Sequence, residues 1–253
     1  MSVGAYYCCY DQPAAALAMM TAYRSAYPAT SLVVVNDAGD PVHERIAAKC
    51  NATHYVRSEH VGYPGHCHVD RILRWIRRLV DNLDHIKEPW FILLEDDVLV
   101  VRPVHEEQLV SDVNGLNASE LLPVAATSDL IQRTHFGANV MKNVNTEKNR
   151  VAYGAMGGAI FRTAFFRALK DRWADVEADL LRFEALCPPE PSGQMWPCSD
   201  TCLSYLTYLY GGTIGTYADF TELWCPGAEA RMRSKEVAVL NQYKHFYGAP
   251  FDA

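Results

Sequence analysis

Residues 89–103 read PWFILLEDDVLVVRP: an apolar run enters three adjacent carboxylates, Glu95, Asp96 and Asp97, and resumes at once with Val98-Leu99-Val100-Val101. Neighbouring carboxylates repel one another, and each is costly to bury unless something positive compensates. A divalent cation is the simplest compensation. Mg2+ or Mn2+ would engage only one or two of these groups, because it must keep positions free for phosphate oxygens. A cation held there could bridge the carboxylates to a nucleotide's phosphates. Asp97, last in the triplet, is the expected direct ligand, which leaves Glu95 and Asp96 to meet a sugar or ribose.

The elements that must position the triplet follow from the residue pattern. VGAYYCCY (3–10) is rich in aromatic and β-favouring residues and reads as a buried strand. QPAAALAMMTAYRSAYP has a proline near its start and Pro28 as its stop, the punctuation of a helix. SLVVVNDAGDP is a second strand ending in polar turn residues, VHERIAAKCNA a short helix, THYVRS a third strand and HVGYPGHC a Gly/Pro loop. HVDRILRWIRRLVDNLDHI places Val69, Ile72, Leu73, Ile76, Leu79, Val80 and Leu83 on one helical face and Arg71, Arg74 and Arg78 on another. WFILLEDDVLVV is a strand that breaks at the carboxylates. The order β-α-β-α-β-α-β predicts an α/β fold, Rossmann-like, with a mostly parallel central sheet and helices on both faces. Ligands of such sheets bind beyond the carboxyl ends of the strands, where Asn36-Asp37 and Glu95-Asp96-Asp97 fall.

Beyond Pro103 the pattern changes. Residues 111–150 are polar and loop-like. YGAMGGAIFR (153–162) carries Gly154, Gly157 and Gly158 ahead of a strand-like end, and TAFFRALKDRWADVEADLLRFEAL reads as one helix. CPPEPSGQMWP is a loop. CSDTCLSYLTYLYGG predicts a helix with Ser199 at its cap, Asp200 in its first turn and Gly211 just past its end. TIGTYADF reads as a strand and the tail from Leu223 as irregular until NQYKHFYG. With no repeat or low-complexity linker, the expected organisation is a nucleotide-binding half, 1–104, and a second half, 105–253, sharing one compact body.

The 253 residues carry a formal charge of −7, with 49% hydrophobic and 21% charged residues. That is ordinary globular composition and argues against a nucleic-acid binder, whose balance is usually basic. No apolar run reaches the roughly 18 residues of a membrane span. MSVGAYYCCYDQP lacks the basic region that opens a signal peptide, so a soluble, cytoplasmic protein is expected. The eight cysteines lack paired zinc spacing, Cys198 and Cys202 having no second such pair, and read as reduced core residues. His60, His66, Cys67 and His68 suit no common zinc pattern, and the sequons at Asn51 and Asn117 carry little weight without a secretory signal.

LLEDDVLVVRP resembles the acidic metal-binding motif of GT-A glycosyltransferases, and its Glu-Asp-Asp form is most similar to that of N-acetylglucosaminyltransferase I and its relatives. Other motifs follow in the family's order. LVVVNDAGD is similar to the second-strand end where an acidic residue meets the nucleotide base, which matches Asp37. GAMGGAIF resembles the glycine-containing segment on the acceptor and donor-sugar side. CSDTCL resembles the later acidic segment that carries the catalytic base of inverting members, which maps onto Asp200. YKHF resembles the C-terminal segment that supplies a histidine to the metal, which maps onto His245. The resemblance implies a GT-A fold with a mixed acceptor-side half, Mn2+ or Mg2+, a nucleoside diphosphate sugar donor, commonly UDP-linked, and a glycan or glycoconjugate acceptor. Lys244 and one of Arg71 or Arg74 are then candidates to pair with the phosphates. Asp200 would take the acceptor's proton; a helix N-terminus favours its charged form, which makes it a weaker base. Trp196, Tyr205, Tyr208, Tyr210 and Trp224 offer rings for sugar stacking, besides core roles.

Each of these residues also has a plainer reading. The triplet could be a solvated turn, Asp37 a turn residue, Asp200 a helix-capping acid, His245 an ordinary half-buried histidine, and the arginine stripe a solvated helix face. A nucleotidyltransferase would use carboxylates and metal on a similar sheet, but wants a Gly/Arg/Lys-rich loop where this chain has CCYDQPAAA. A non-catalytic nucleotide- or carbohydrate-binding protein would keep the fold and show no donor hydrolysis.

Overall fold

The computed structural model describes residues 2–62, 69–115, 121–134, 138–148, 150–188, 197–249 and 251. His66, Cys67, His68, the sequon at Asn117, most of the CPPEPSGQMWP segment and Trp196 lie outside them. In the first half, β1 (Val3–Cys9), α1 (Pro13–Ala26), β2 (Leu32–Asn36), α2 (Val42–Lys49), β3 (His54–Arg57), α3 (Val69–Asn82) and β4 (Trp90–Leu94) alternate as the pattern predicts. Then come β5 (Leu99–Val100), β6 (Val113–Asn114), α4 (Val124–Arg133), α5 (Ala138–Lys142), β7 (Val144–Asn145), β8 (Arg150–Val151) and β9 (Ile160–Arg162). The chain continues through α6 (Thr163–Arg167), α7 (Trp173–Leu186), α8 (Ser199–Leu209), β10 (Ile214–Gly215), β11 (Phe220–Glu222), α9 (Ala228–Arg233) and β12 (Val239–Asn241).

Among the described residues, seven strands form the main sheet in the order β10-β6-β9-β4-β1-β2-β3. β4, β1, β2 and β3 are mutually parallel, and β9 runs antiparallel to both β4 and β6. The parallel strands read as continuous apolar runs because both of their faces are covered. Tyr6, Val33, Val35, Phe91 and Leu93 face a core shared with α3, α6, α7 and α8. Alternate residues Tyr7, Leu32, Val34, Ile92 and Leu94 face α1 and α2. The whole apolar face expected for α3, from Val69 to Leu83, is buried.

The second half departs from the sequence pattern in several places. Residues 124–133, expected as loop, form α4. Its inward face includes Thr127, whose Oγ1 accepts the Val151 N–H at 3.0 Å, and Asp129, bonded to Arg182 Nε at 2.8 Å. Polar residues so placed hide a helical period. The long helix expected from Thr163 is broken by a 3-10 turn at Lys170–Arg172 into α6 and α7. TIGTYADF is divided between two sheets as β10 and β11, and the supposedly irregular tail contains α9 and β12. β12 pairs with β11 and β5 in a small three-stranded sheet, a stabilisation between distant segments that no local pattern reveals. At α8 the capping residue is Cys198, not Ser199; its N–H donates to Thr201 Oγ1 at 3.1 Å.

Cys8, Cys9, Cys50, Cys187, Cys198 and Cys225 are free thiols, and among the described residues no helix is long and apolar enough to cross a membrane.

Candidate active site

The interruption at Glu95-Asp96-Asp97 is the corner where the chain leaves one sheet for another. β4 ends at Leu94, Val98 N–H donates to the Glu95 carbonyl at 3.1 Å, and the resumed apolar run becomes β5, antiparallel to β12. Val98 is fully buried and Asp97 is 6% exposed, with Glu95 and Asp96 half-buried. The triplet is therefore not a solvated turn. It lines a cavity of about 700 Å³ at the carboxyl edge of the parallel strands. Tyr10 and Asp11 from the end of β1, Asp37 from β2, His60 and Gly62, Arg71 of α3, and Lys244 and Tyr247 from the tail complete its walls.

Asp37 is built into its wall. Its Oδ1 accepts the Val61 N–H at 2.7 Å and its Oδ2 the Gly62 N–H at 2.8 Å, while Arg78 pairs with it from α3. Burial pushes this carboxyl up, but the two amides and Arg78 outweigh it and hold Asp37 below its ordinary value. Arg78 thus departs from the expected solvated stripe: its side chain is 9% exposed, whereas Arg71 and Arg74 are exposed and Arg71 lines the cavity.

The triplet is poorly compensated. The Tyr7 hydroxyl donates to Asp96, yet burial, with Asp11 and Asp97 adding to it, pushes the Asp96 carboxyl up to about 7. Burial and then Asp200, Asp97 and Asp96 raise Glu95 well above the carboxylate range. Burial also raises Asp97, opposed by the Lys244 ammonium 3.8 Å from its Oδ2. Asp200, in the first turn of α8, is pushed up to about 6 by burial, with Asp97 and Glu222 adding and a 3.0 Å bond from Ser199 Oγ opposing. The helix N-terminus favours the charged form of Asp200, whereas burial and the neighbouring carboxylates act the other way and raise its carboxyl.

Gly157 completes this arrangement. A Cβ there would overlap the Glu95 carboxylate, so the bare backbone of the glycine segment is what gives Glu95 its place. The sequence flagged the glycines without their partner. It also missed Tyr10, Asp11 and Glu222, although Tyr10 and Asp11 follow β1 as Asp37 follows β2, and strand-end position alone would have found them.

Hard carboxylate oxygens that repel one another fit a divalent cation in chemistry, and the Lys244 ammonium 3.8 Å from Asp97 partly compensates them without it. Among the described residues no three His, Cys, Asp or Glu groups are assembled as a ready metal site. His245 is exposed, with its ring 4.5 Å from that of Tyr243, and is absent from the described cavity lining. The structure therefore brings Asp37, Glu95, Asp96, Asp97, Arg71 and Lys244 together around one cavity, with Asp200 close enough to perturb Glu95, and leaves His245 outside.

No family model matches the sequence, and no curated protein matches it. Solved structures do match. The galactosyltransferase LgtC, in complex with donor and acceptor sugar analogs, superposes with a TM-score of 0.52 at 13% identity, over 95% of this chain and 86% of that one. An active-site mutant of LgtC gives 0.50 at 13% identity, over 99% and 88% of the two chains. Mouse xyloside xylosyltransferase 1, in its apo form, gives 0.46 at 10% identity, over 99% and 100%. None of these is an N-acetylglucosaminyltransferase, so that finer likeness rests on the acidic triplet alone. The architecture shared with LgtC gives this chain the GT-A fold, a mostly parallel seven-stranded sheet between helices with a mixed second half.

Proposed function

We propose that this chain is a metal-dependent glycosyltransferase that moves a sugar from a nucleoside diphosphate sugar, UDP-linked, to a hydroxyl of a glycan or glycoconjugate. The observation that carries the reading is the cavity of about 700 Å³ in which the Glu95-Asp96-Asp97 corner faces Lys244 and Arg71 at the carboxyl edge of a GT-A sheet. Its size suits a nucleotide sugar, and its acidic corner and two cations suit a metal-bridged diphosphate.

In this reading the base and ribose lie toward Tyr10, Asp11 and the His60–Gly62 wall that Asp37 holds in place. Asp97 would hold Mn2+ or Mg2+ together with Asp96 or Glu95, and the bound ion supplies Lewis-acid stabilisation of the departing diphosphate. Lys244 and Arg71 pair with phosphate oxygens as point charge and fork. Asp200 accepts the proton of the acceptor hydroxyl as that oxygen attacks the anomeric carbon. A carboxyl raised to about 6 is still ionised at neutral pH and is more basic than a free aspartate. Direct displacement inverts the anomeric centre.

Calorimetric titration of UDP with Mn2+ present, then with EDTA, repeated on Asp97→Ala, tests the site. Binding that needs both the metal and Asp97 is expected. Equal binding with and without metal overturns the role given to the triplet. Donor hydrolysis and transfer, followed by NMR of the product's anomeric proton, test the chemistry; a retained configuration removes Asp200 as base, and no turnover of any donor removes the transferase.

A further inference from the structure

Ser204 lies on α8 one turn beyond Asp200 and is fully buried. Its hydroxyl donates to the Asp200 carbonyl at 2.7 Å and accepts the N–H groups of Gly154 and Ala155, each at 3.1 Å. A serine hydroxyl has one donor hydrogen and two acceptor lone pairs, so its capacity is filled. The bond back to the preceding turn is ordinary for serine in a helix. The other two are not local: they come from residues 50 and 49 positions earlier in the chain.

Those two amides belong to the segment between β8 and β9, which also shapes the acidic corner. Three residues on, Gly157 leaves room for the Glu95 carboxylate, and the Gly158 N–H donates to the Leu93 carbonyl at 2.7 Å. One end of the segment is thus fixed to β4 beside Glu95, and the other is fixed to Ser204 beside Asp200. Tyr208, a turn further along α8, is buried in the core and so is no ring for sugar stacking; its hydroxyl donates to the Ala152 carbonyl at 2.8 Å and ties the same segment farther from Asp200.

We infer that Ser204 is a positioning residue: by holding the Gly154 and Ala155 amides against the first turns of α8, it sets the placement of Asp200 relative to Glu95 and hence the reach of Asp200 to the acceptor hydroxyl. The catalytic consequence rests on the transferase reading above. The tie itself does not.

The test compares Ser204→Ala, Ser204→Thr and Tyr208→Phe with the wild type. Amide exchange followed by NMR or mass spectrometry reads the tie directly. Faster exchange at Gly154 and Ala155 in Ser204→Ala, with protection kept in Ser204→Thr, is expected; unchanged exchange in Ser204→Ala overturns the inference even if no sugar is ever transferred. Kinetics read the consequence. Ser204→Ala should lower kcat by about tenfold to a hundredfold, the range for a small misplacement of a reacting group, with donor KM and metal-dependent UDP binding within about twofold. Ser204→Thr should recover most of the rate, and Tyr208→Phe should lower the melting temperature while keeping kcat. An unchanged kcat in Ser204→Ala, or an equal loss in Tyr208→Phe, reduces Ser204 to a stabilising contact and overturns the positioning role. A wild type that binds no UDP and transfers no sugar is a failure of the transferase reading, recognisable apart from the exchange result.

Discussion

Arg78 pairs with Asp37, and through that pair three segments meet: the end of β2, helix α3 and the turn after β3. The same guanidinium donates to Ser58 Oγ at 2.8 Å and lies 3.2 Å from Cys8 Sγ, while Asp37 receives the Val61 and Gly62 amides. Both terminal nitrogens of Arg78 are engaged while its Nε has no partner among the described residues, and the pair ties the nucleotide-side wall of the cavity to α3. Asp37 shapes that wall, and it also lines the cavity.

Asp37→Ala should destabilise the protein by about 3–5 kcal/mol, because Arg78 is left as an unpaired buried charge. The pH dependence has a definite sign. Asp37 is held below its ordinary value in the folded state, so its contribution is complete above an unfolded pKa of about 3.9 and is lost as pH falls through the lower folded value. Urea unfolding should show wild-type stability falling below about pH 4 more steeply than that of Asp37→Ala. Parallel curves for the two proteins would contradict the assignment.

Gly157→Ala should injure the site and spare the fold. The added methyl meets the Glu95 carboxylate, whose displacement is the least costly relief. A loss of kcat of about tenfold or more, with a melting temperature within a few degrees of wild type, is expected. A fully active Gly157→Ala would mean that Glu95 moves aside without consequence, and would remove it from the working set.

Tyr10 is 44% exposed at the cavity wall, its ring 4.8 Å from that of His60, which gives an aromatic face beside the Asp37 wall. Stacking of a base on such a ring contributes about 1–3 kcal/mol. Tyr10→Ala should therefore weaken UDP binding by about tenfold and leave binding of inorganic diphosphate unchanged. Equal weakening for both ligands would place Tyr10 near the phosphates.

The parallel half of the fold was legible because each of its signals is local. Strands covered on both faces are uniformly apolar, α3 carries one clean apolar face, and the corner at Glu95-Asp96-Asp97 stands out as charge inside an apolar run. What stayed hidden depends on distant partners. β5 and β12 stabilise each other across more than a hundred residues, and α4 turns Thr127 and Asp129 inward because Val151 and Arg182 wait there. The site follows the same division. Carboxylates at strand ends could be placed from the sequence, whereas Lys244 and His245 are neighbours with opposite fates: Lys244 reaches Asp97, and His245 lies against Tyr243. Arg78 was misplaced because a helical stripe of arginines gives no sign of which member meets a buried acid.

Asp200→Asn separates chemistry from stability. Removing a general base typically costs about 10²–10⁴ in rate, and kcat should fall by that order while UDP still binds with metal, because the role proposed for Asp200 is toward the acceptor and not the diphosphate. Stability should move the other way. The Asp200 carboxyl stands at about 6 in the folded protein, above an unfolded value of about 3.9. Its ionisation therefore opposes folding, with no cost below the unfolded value, a growing cost between the two values and the full cost above the folded one. The metal-free asparagine variant should melt a few degrees higher than wild type at pH 8 and at the same temperature as wild type near pH 3.5. Catalytic carboxylates held in unfavourable surroundings carry this trade of stability for activity. A variant that loses stability at pH 8 would make Asp200 a structural capping acid, and the base for the acceptor would then have to be sought at Glu95 or Glu222.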